Sequence, residues 1–311
     1  MGKTAFIFPG QGAQYVGMGS DFYEKSEEAR EMFDLAARVT GIDIKHLCFE
    51  ENEEINITEF TQIAMLADEV AILKAAQAAG LKCDVAAGLS LGEYGAIVAA
   101  GIISPEDAFK VIRERGIAMQ QAYPSGGAMS AVLGMEADPV EKICAAVAEE
   151  TGKVVSVANY NCPGQIVITG EADAVAAAGE KLKEAGAKRV LPLKVSGPFH
   201  SKLLASAAER LTEVLEDVEL TYQDVPYVAN LIADYVYSHK DTKSLLSAQV
   251  CGSVRWQQSV EKMIAEGVDT FVEIGPGKTL SGFMRKINKD VKVVNIDKYE
   301  DLAAAVEALN V

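Results

Sequence analysis

The feature that most constrains this chain is a rhythm. Short apolar runs of strand character alternate with longer stretches whose apolar residues recur at helical spacing, and the order of that alternation changes once. Such alternation argues for an α/β fold. Ala5-Phe6-Ile7-Phe8 reads as the first strand, 59–79 as a long helix stopped at Gly80, 83–89 as a short buried strand, and 91–100 as a helix ended by Gly101. Ser104-Pro105-Glu106-Asp107 is a helix start, with a capping serine, proline in the first turn and acids at the positive end of the dipole. That helix should run to about Tyr123.

Pro124-Ser125-Gly126-Gly127 breaks the pattern, and a different one follows. Strand 128–133, helix 139–150, strands 154–159 and 165–169, helix 172–185 and strand 189–193 give the order βαββαβ, the ferredoxin-like unit. The expected organisation is a small ferredoxin-like domain at 125–197 inserted into an α/β-hydrolase-like domain made of 1–124 and 198–311. Beyond the insert come helix 202–216, strands 225–229 and 270–274, a helix from Thr279, strand 291–296 and helix 300–309.

Charge and composition remove several function classes. A formal net charge of −16 has the wrong sign for a protein that must displace counterions from nucleic-acid phosphates. No apolar run has the roughly 18 residues of a membrane span, and Met1-Gly2-Lys3-Thr4 leads straight into the first strand without the charged and apolar regions of a signal peptide. A cytoplasmic location is the expectation. Five scattered cysteines, at 48, 83, 144, 162 and 251, lack the close spacing of zinc or redox motifs and read as small buried apolar residues.

Gly88-Leu89-Ser90-Leu91-Gly92 is a G-x-S-x-G sequence between a predicted strand and a predicted helix, the context a nucleophile elbow requires. Ser90 would stand at a helix N-terminus, where amides and the dipole favour developing negative charge; the plainer reading is a serine capping a tight turn. A serine nucleophile needs a base, and the chain has three histidines. His46 lies near the end of an early helical region, and His239 lies in a polar turn. His200, in the loop Ser196-Gly197-Pro198-Phe199-His200-Ser201 at the domain junction, is the best placed. Phe8-Pro9-Gly10-Gln11-Gly12 begins like a dinucleotide-binding loop, but Tyr15 occupies the third glycine position; the loop is better read as letting Gln11 or its amides approach a reacting oxygen. Gly277-Lys278-Thr279 resembles the end of a phosphate-binding loop, yet Val272 stands where the first glycine belongs. Arg115 falls at the centre of the apolar face formed by Ala108, Ile112, Met119 and Ala122. A guanidinium there must have an anionic partner, a buried Asp or Glu or a substrate carboxylate, or stay near water.

Taken together these residues resemble the malonyl-CoA:acyl-carrier-protein transacylases of type II fatty-acid synthesis. The resemblance spans the chain: Phe6 to Gly12, Thr61-Gln62, Gly88 to Tyr94, Arg115-Gly116, Asn159 to Gln165, Gly197 to Ser201, Gln249 with Val254-Arg255-Trp256, and Glu273 to Gly277. Two positions depart from the family pattern: Leu89 where a histidine is usual, and Ser253 where a proline often stands. The resemblance implies malonyl transfer from CoA to a carrier-bound phosphopantetheine thiol through malonyl-Ser90, with His200 as base and the Gln249 backbone carbonyl orienting it. It further implies an oxyanion site at the Leu91 amide and an amide at Gln11, Arg115 binding the malonyl carboxylate, and Phe199 excluding a branched acyl group. No metal or cofactor is implied, the partner is an acyl carrier protein, and a monomer is expected. Two rivals remain at this point. A serine hydrolase would share the elbow but has no use for Arg115, and an inactive carrier-binding subunit would take no acyl label.

Overall fold

The computed structural model describes residues 2–195, 197–222 and 224–309; Ser196, read above as part of the His200 loop, lies outside them. Ten strands occur among the described residues: β1 (Lys3–Phe8), β2 (Val85–Gly88), β3 (Gly127–Leu133), β4 (Val155–Cys162), β5 (Gln165–Glu171), β6 (Arg189–Pro192), β7 (Tyr227–Ala229), β8 (Asp234–Val236), β9 (Val268–Ile274) and β10 (Lys292–Ile296). They form two sheets within a mixed α/β fold.

The larger sheet has the order β10-β9-β1-β2-β7-β8. Its pairs are parallel except β7–β8. Helices cover both faces, so the central strands are buried throughout: every residue of β2 is buried, as is β1 from Ala5 onward. The helix Thr58–Ala78 is almost entirely enclosed, which places Gln62, Asp68 and Glu69 in the interior beside its apolar residues. Register fixes where the loops emerge. Phe8 pairs with Gly88 and Ala87 with Val228, so the loops after β1, β2 and β7 leave from one edge, at the carboxyl ends of three neighbouring parallel strands. Open α/β sheets present ligand sites at that edge.

The smaller sheet is antiparallel, in the order β4-β5-β3-β6, and comes wholly from Gly127–Pro192. Helices Ala137–Thr151 and Ala172–Glu184 pack on it around a separate core that includes Val132, Val140, Ile168 and Leu182. The alternating residues Met129, Ala158 and Val167 join the main core instead, so the sheet has its own helices on one side and the large body on the other. Residues 253–254 tie the bodies together: Ser253 Oγ donates to the Val157 carbonyl at 2.7 Å, Val254 N–H to Ala158 O at 2.8 Å, and Tyr160 N–H to Val254 O at 2.9 Å.

The helix Pro105–Ala122 is capped by Ser104, whose Oγ accepts from the Asp107 amide, and Gly80 and Gly101 end their helices at φ +93° and +73°. The predicted strand 83–89 shortens to β2 because the chain turns sharply at Ser90, while β4 continues three residues beyond the predicted end at 159. Helices Glu27–Thr40, Thr242–Gln249 and Trp256–Ala265, and the three-residue strand β8, were not separately assigned from sequence. Among the described residues no helix is long and apolar enough to cross a membrane.

Candidate active site

Ser90 sits on the turn between β2 and the helix Gly92–Ala99 with φ +56°. Its flanking glycines have little alternative. A Cβ on Gly88 would lie 1.9 Å from the Gly92 carbonyl oxygen, and one on Gly92 would lie 2.3 Å from the Phe8 carbonyl oxygen. The elbow is therefore wedged against the end of β1. Asn230, which follows β7, holds it from the other side. Asn230 Oδ1 accepts from the Ser90 amide at 2.7 Å, and Nδ2 donates to the Gly88 carbonyl at 2.6 Å.

His200 is the second non-glycine residue with positive φ, at +59°; among the described residues Ala233 is the only other. Left-handed backbone at two such residues costs on the order of 1–3 kcal/mol each, a strain that commonly marks functional sites. His200 Nε2 lies 2.7 Å from Ser90 Oγ. Nδ1 faces two backbone carbonyls, Gln249 O at 2.9 Å and Gly252 O at 3.1 Å. Both are acceptors, which assigns the proton to Nδ1 and leaves the Nε2 lone pair directed at the serine. The imidazole is buried, and its pKa is pushed down to about 4, first by desolvation and then by the charge of Arg115, against the two carbonyls that favour the imidazolium.

Arg115 is buried, 1 % exposed, where the helix Pro105–Ala122 meets the elbow. Its Nη1 donates to Gln62 Oε1 at 2.6 Å; Nη2 donates to Gln249 Oε1 at 2.9 Å and Ser90 Oγ at 3.2 Å. Among the described residues no carboxylate lies within ion-pair distance of it: the ion pairs run elsewhere, Arg113 for instance to Glu59. The nearby Glu93 is turned away, its Oε2 accepting from the Asn230 amide at 3.0 Å and from Gln249 Nε2 at 2.8 Å. Burial lifts the Glu93 carboxyl to about 7. Gln249 Nε2 also donates to the Ser90 carbonyl at 3.0 Å, so one glutamine touches the elbow, the arginine and, through its backbone, the histidine.

These groups converge on a cavity of about 210 Å³ lined by Gln11, Ser90, Leu91, Arg115, Phe199 and His200, with Met129, Val167 and Phe283 among its apolar walls. Gln249 stands behind His200 rather than in the lining. Gln11 comes from the loop after β1 and donates through Nε2 to Thr58 Oγ1 at 3.1 Å. The other histidines lie outside the cavity. His46 is exposed and paired with Glu50 at 2.9 Å, and His239 packs its ring against exposed Tyr222 at 5.3 Å. The arrangement can do acyl transfer: a hydroxyl, a base with a fixed tautomer, and an uncompensated cation a few ångströms away.

The acyl transferase domain family matches residues 5–300. A malonyl CoA-acyl carrier protein transacylase of Bacillus subtilis (strain 168) is 45 % identical over 311 residues, covering 99 % of this chain and 98 % of that protein. The chain belongs to the malonyl CoA-acyl carrier protein transacylase family. Solved members have the same fold: the Clostridium perfringens transacylase superposes with a TM-score of 0.95 at 42 % identity over 99 % of this chain and 97 % of that one. A malonyl-transacylase in complex with a type II polyketide acyl-carrier protein gives 0.95 at 38 %, over 98 % and 99 % of the two chains. The chain is thus an acyltransferase. Sequence reading passed over Asn230 and the Gly252 carbonyl, and held Glu93 only as part of the Gly88–Tyr94 block, without a role. Asn230 has no local signature, since it acts on an elbow 140 positions away.

Proposed function

We propose that this enzyme transfers malonyl from malonyl-CoA to the phosphopantetheine thiol of an acyl carrier protein through a malonyl-Ser90 intermediate. The observation that carries the reading is a single oxygen: Ser90 Oγ lies 2.7 Å from His200 Nε2 and 3.2 Å from a buried guanidinium with no carboxylate partner among the described residues. His200 takes the hydroxyl proton through Nε2 as Ser90 attacks the thioester carbon. The Leu91 amide and an amide at Gln11 receive the oxyanion. The imidazolium, held by the Gln249 and Gly252 carbonyls, returns the proton to the leaving CoA thiol. The carrier thiol repeats the sequence in reverse. Arg115 binds the distal carboxylate in both halves, and Phe199, 6 % exposed in the cavity wall, limits branching at the acyl carbon.

The division of the chain follows the same reading: an α/β-hydrolase-like body of 1–124 and 198–311 with a ferredoxin-like insert at 125–197, the latter supported by the antiparallel order β4-β5-β3-β6. The enzyme works as a cytoplasmic monomer and needs no metal or cofactor beyond its two substrates. Mixing it with malonyl-CoA and recording intact mass tests the mechanism. One malonyl group should appear, absent from Ser90→Ala and discharged by holo carrier protein. Turnover by Ser90→Ala at the wild-type rate would overturn it.

A further inference from the structure

A buried arginine with no counter-ion is unusual. Most buried charges are paired, because an unpaired one loses its hydration without compensation. Here all three polar contacts of the guanidinium are neutral: two glutamine carbonyls and a hydroxyl. Glu93, whose charge does act on Arg115, makes no ion pair with it; the Gln249 side chain links the two, its Nε2 binding Glu93 while its Oε1 binds Arg115. The shortest contact is to Gln62, 1 % exposed, from the facing helix Thr58–Ala78. Among the described residues Gln62 makes no hydrogen bond to Ser90 or His200; it lines the same cavity, and its amide nitrogen donates to Met119 Sδ at 3.5 Å.

We infer that Gln62 is a positioning residue that sets acyl specificity: it fixes the Arg115 guanidinium with a neutral acceptor, so that the full positive charge is left for the substrate's carboxylate. A carboxylate at 62 would fix the arginine equally well and quench it. The amide is therefore the chemically informative part of the side chain, beyond its size or its hydrogen bond. This rests on the reading of Arg115 as the malonyl clamp, and the test separates the two.

Gln62→Glu keeps the shape and adds the charge, and the adjacent guanidinium favours the ionised form. Gln62→Leu keeps the bulk and removes the acceptor. Steady-state kcat/KM is measured for malonyl-CoA and acetyl-CoA with each variant and with Arg115→Ala. Gln62→Glu should lower the malonyl value by about 30-fold or more, as expected when a desolvated charge pair loses one partner, with acetyl falling far less. Gln62→Leu should lower malonyl less than Gln62→Glu does. A merely structural Gln62 gives the reverse order, because leucine leaves Nη1 unbonded where glutamate bonds it, and both donors then fall together. That order, or an unchanged malonyl-to-acetyl ratio in Gln62→Glu, overturns the inference. If Arg115→Ala itself loses both donors in parallel, the clamp reading fails first. Melting curves check folding, and Gln62→Asp, a smaller acid, carries the charge test if Gln62→Glu does not fold.

Discussion

Replacing Arg115 by methionine should raise the pH at which the enzyme loses activity in acid. The His200 imidazole is depressed from 6.5 to about 4, and Arg115 is the second cause after burial. Nη2 reaches Ser90 Oγ at 3.2 Å, and that oxygen reaches Nε2 at 2.7 Å, so the two nitrogens stand no more than about 6 Å apart. At an effective dielectric constant of about 20 the repulsion is about 2.8 kcal/mol, or ~2 pKa units. Because burial is the larger cause, a rise of ~1 unit is the working figure. Methionine retains the bulk of the arginine stem, so the desolvation of His200 is largely kept. The base must be neutral to act, so activity falls as pH drops through its pKa, and removing the cation moves that limb upward, from near pH 4 to about pH 5. The assay is kcat/KM against pH with acetyl-CoA, which does not use Arg115 for binding, and one small-thiol acceptor for both enzymes. A limb that stays in place, or moves down, would refute the electrostatic coupling between Arg115 and His200.

Other outcomes follow from the same geometry. His200→Ala should lose on the order of 10⁴-fold or more in transfer, while His46→Ala and His239→Ala, both outside the cavity, stay near wild type; an inactive His239→Ala would show the base to be misassigned. Asp68 and Glu69 are fully buried, none of their oxygens has a hydrogen-bond partner among the described residues, and burial lifts both carboxyls well above the ordinary range. Their stabilising contribution is present below their unfolded values near 4 and is lost as pH rises through the raised folded values. Asp68→Asn and Glu69→Gln should therefore gain in Tm relative to wild type between about pH 5 and pH 8, and a constant difference would show that neither titrates as described. Charge reversal at exposed Lys188, Arg189 and Lys194, or at Arg285, Lys286 and Lys289, should raise KM for the acidic carrier at low salt and leave transfer to a small thiol unchanged; if neither set moves KM, the carrier docks elsewhere.

How much could be read in advance depends on how local the cause is. The capped helix from Pro105, the glycine stops at 80 and 101 and the βαββαβ order each rest on signals within a few residues, and the structure has them close to the expected limits. Arg115 was legible for the same reason, since a cation at the centre of an apolar helical face is visible in the helix alone. What it would meet there was not legible. The choice between a buried carboxylate and none was open in the sequence, and the fold resolves it with two glutamines drawn from positions 62 and 249. The helices Thr242–Gln249 and Trp256–Ala265 went unassigned because no side-chain cap marks their start, and β8 because three residues carry no usable periodicity; Glu27–Thr40 is capped by Ser26 and was missed despite it.

The same distinction explains why Asn230 escaped notice and why it matters. A G-x-S-x-G motif supplies the glycines that let a strand turn sharply into a helix, but it supplies nothing that holds the serine at φ +56°. That conformation is uphill for a residue with a Cβ, so something outside the motif must compensate it. The Asn230 side chain bonds the Ser90 amide and the Gly88 carbonyl together, a two-point clamp across the turn, and its own amide is anchored on Glu93. Glu93 also bonds Gln249, the residue whose carbonyl orients His200. Ser90 and His200 are thus referred to one buried carboxyl, although they lie 110 positions apart in sequence. Because β2 pairs directly with β7, Asn230 arrives beside the elbow by sheet register alone. The strand order that a sequence reading leaves undetermined is what brings Asn230 to hold the elbow.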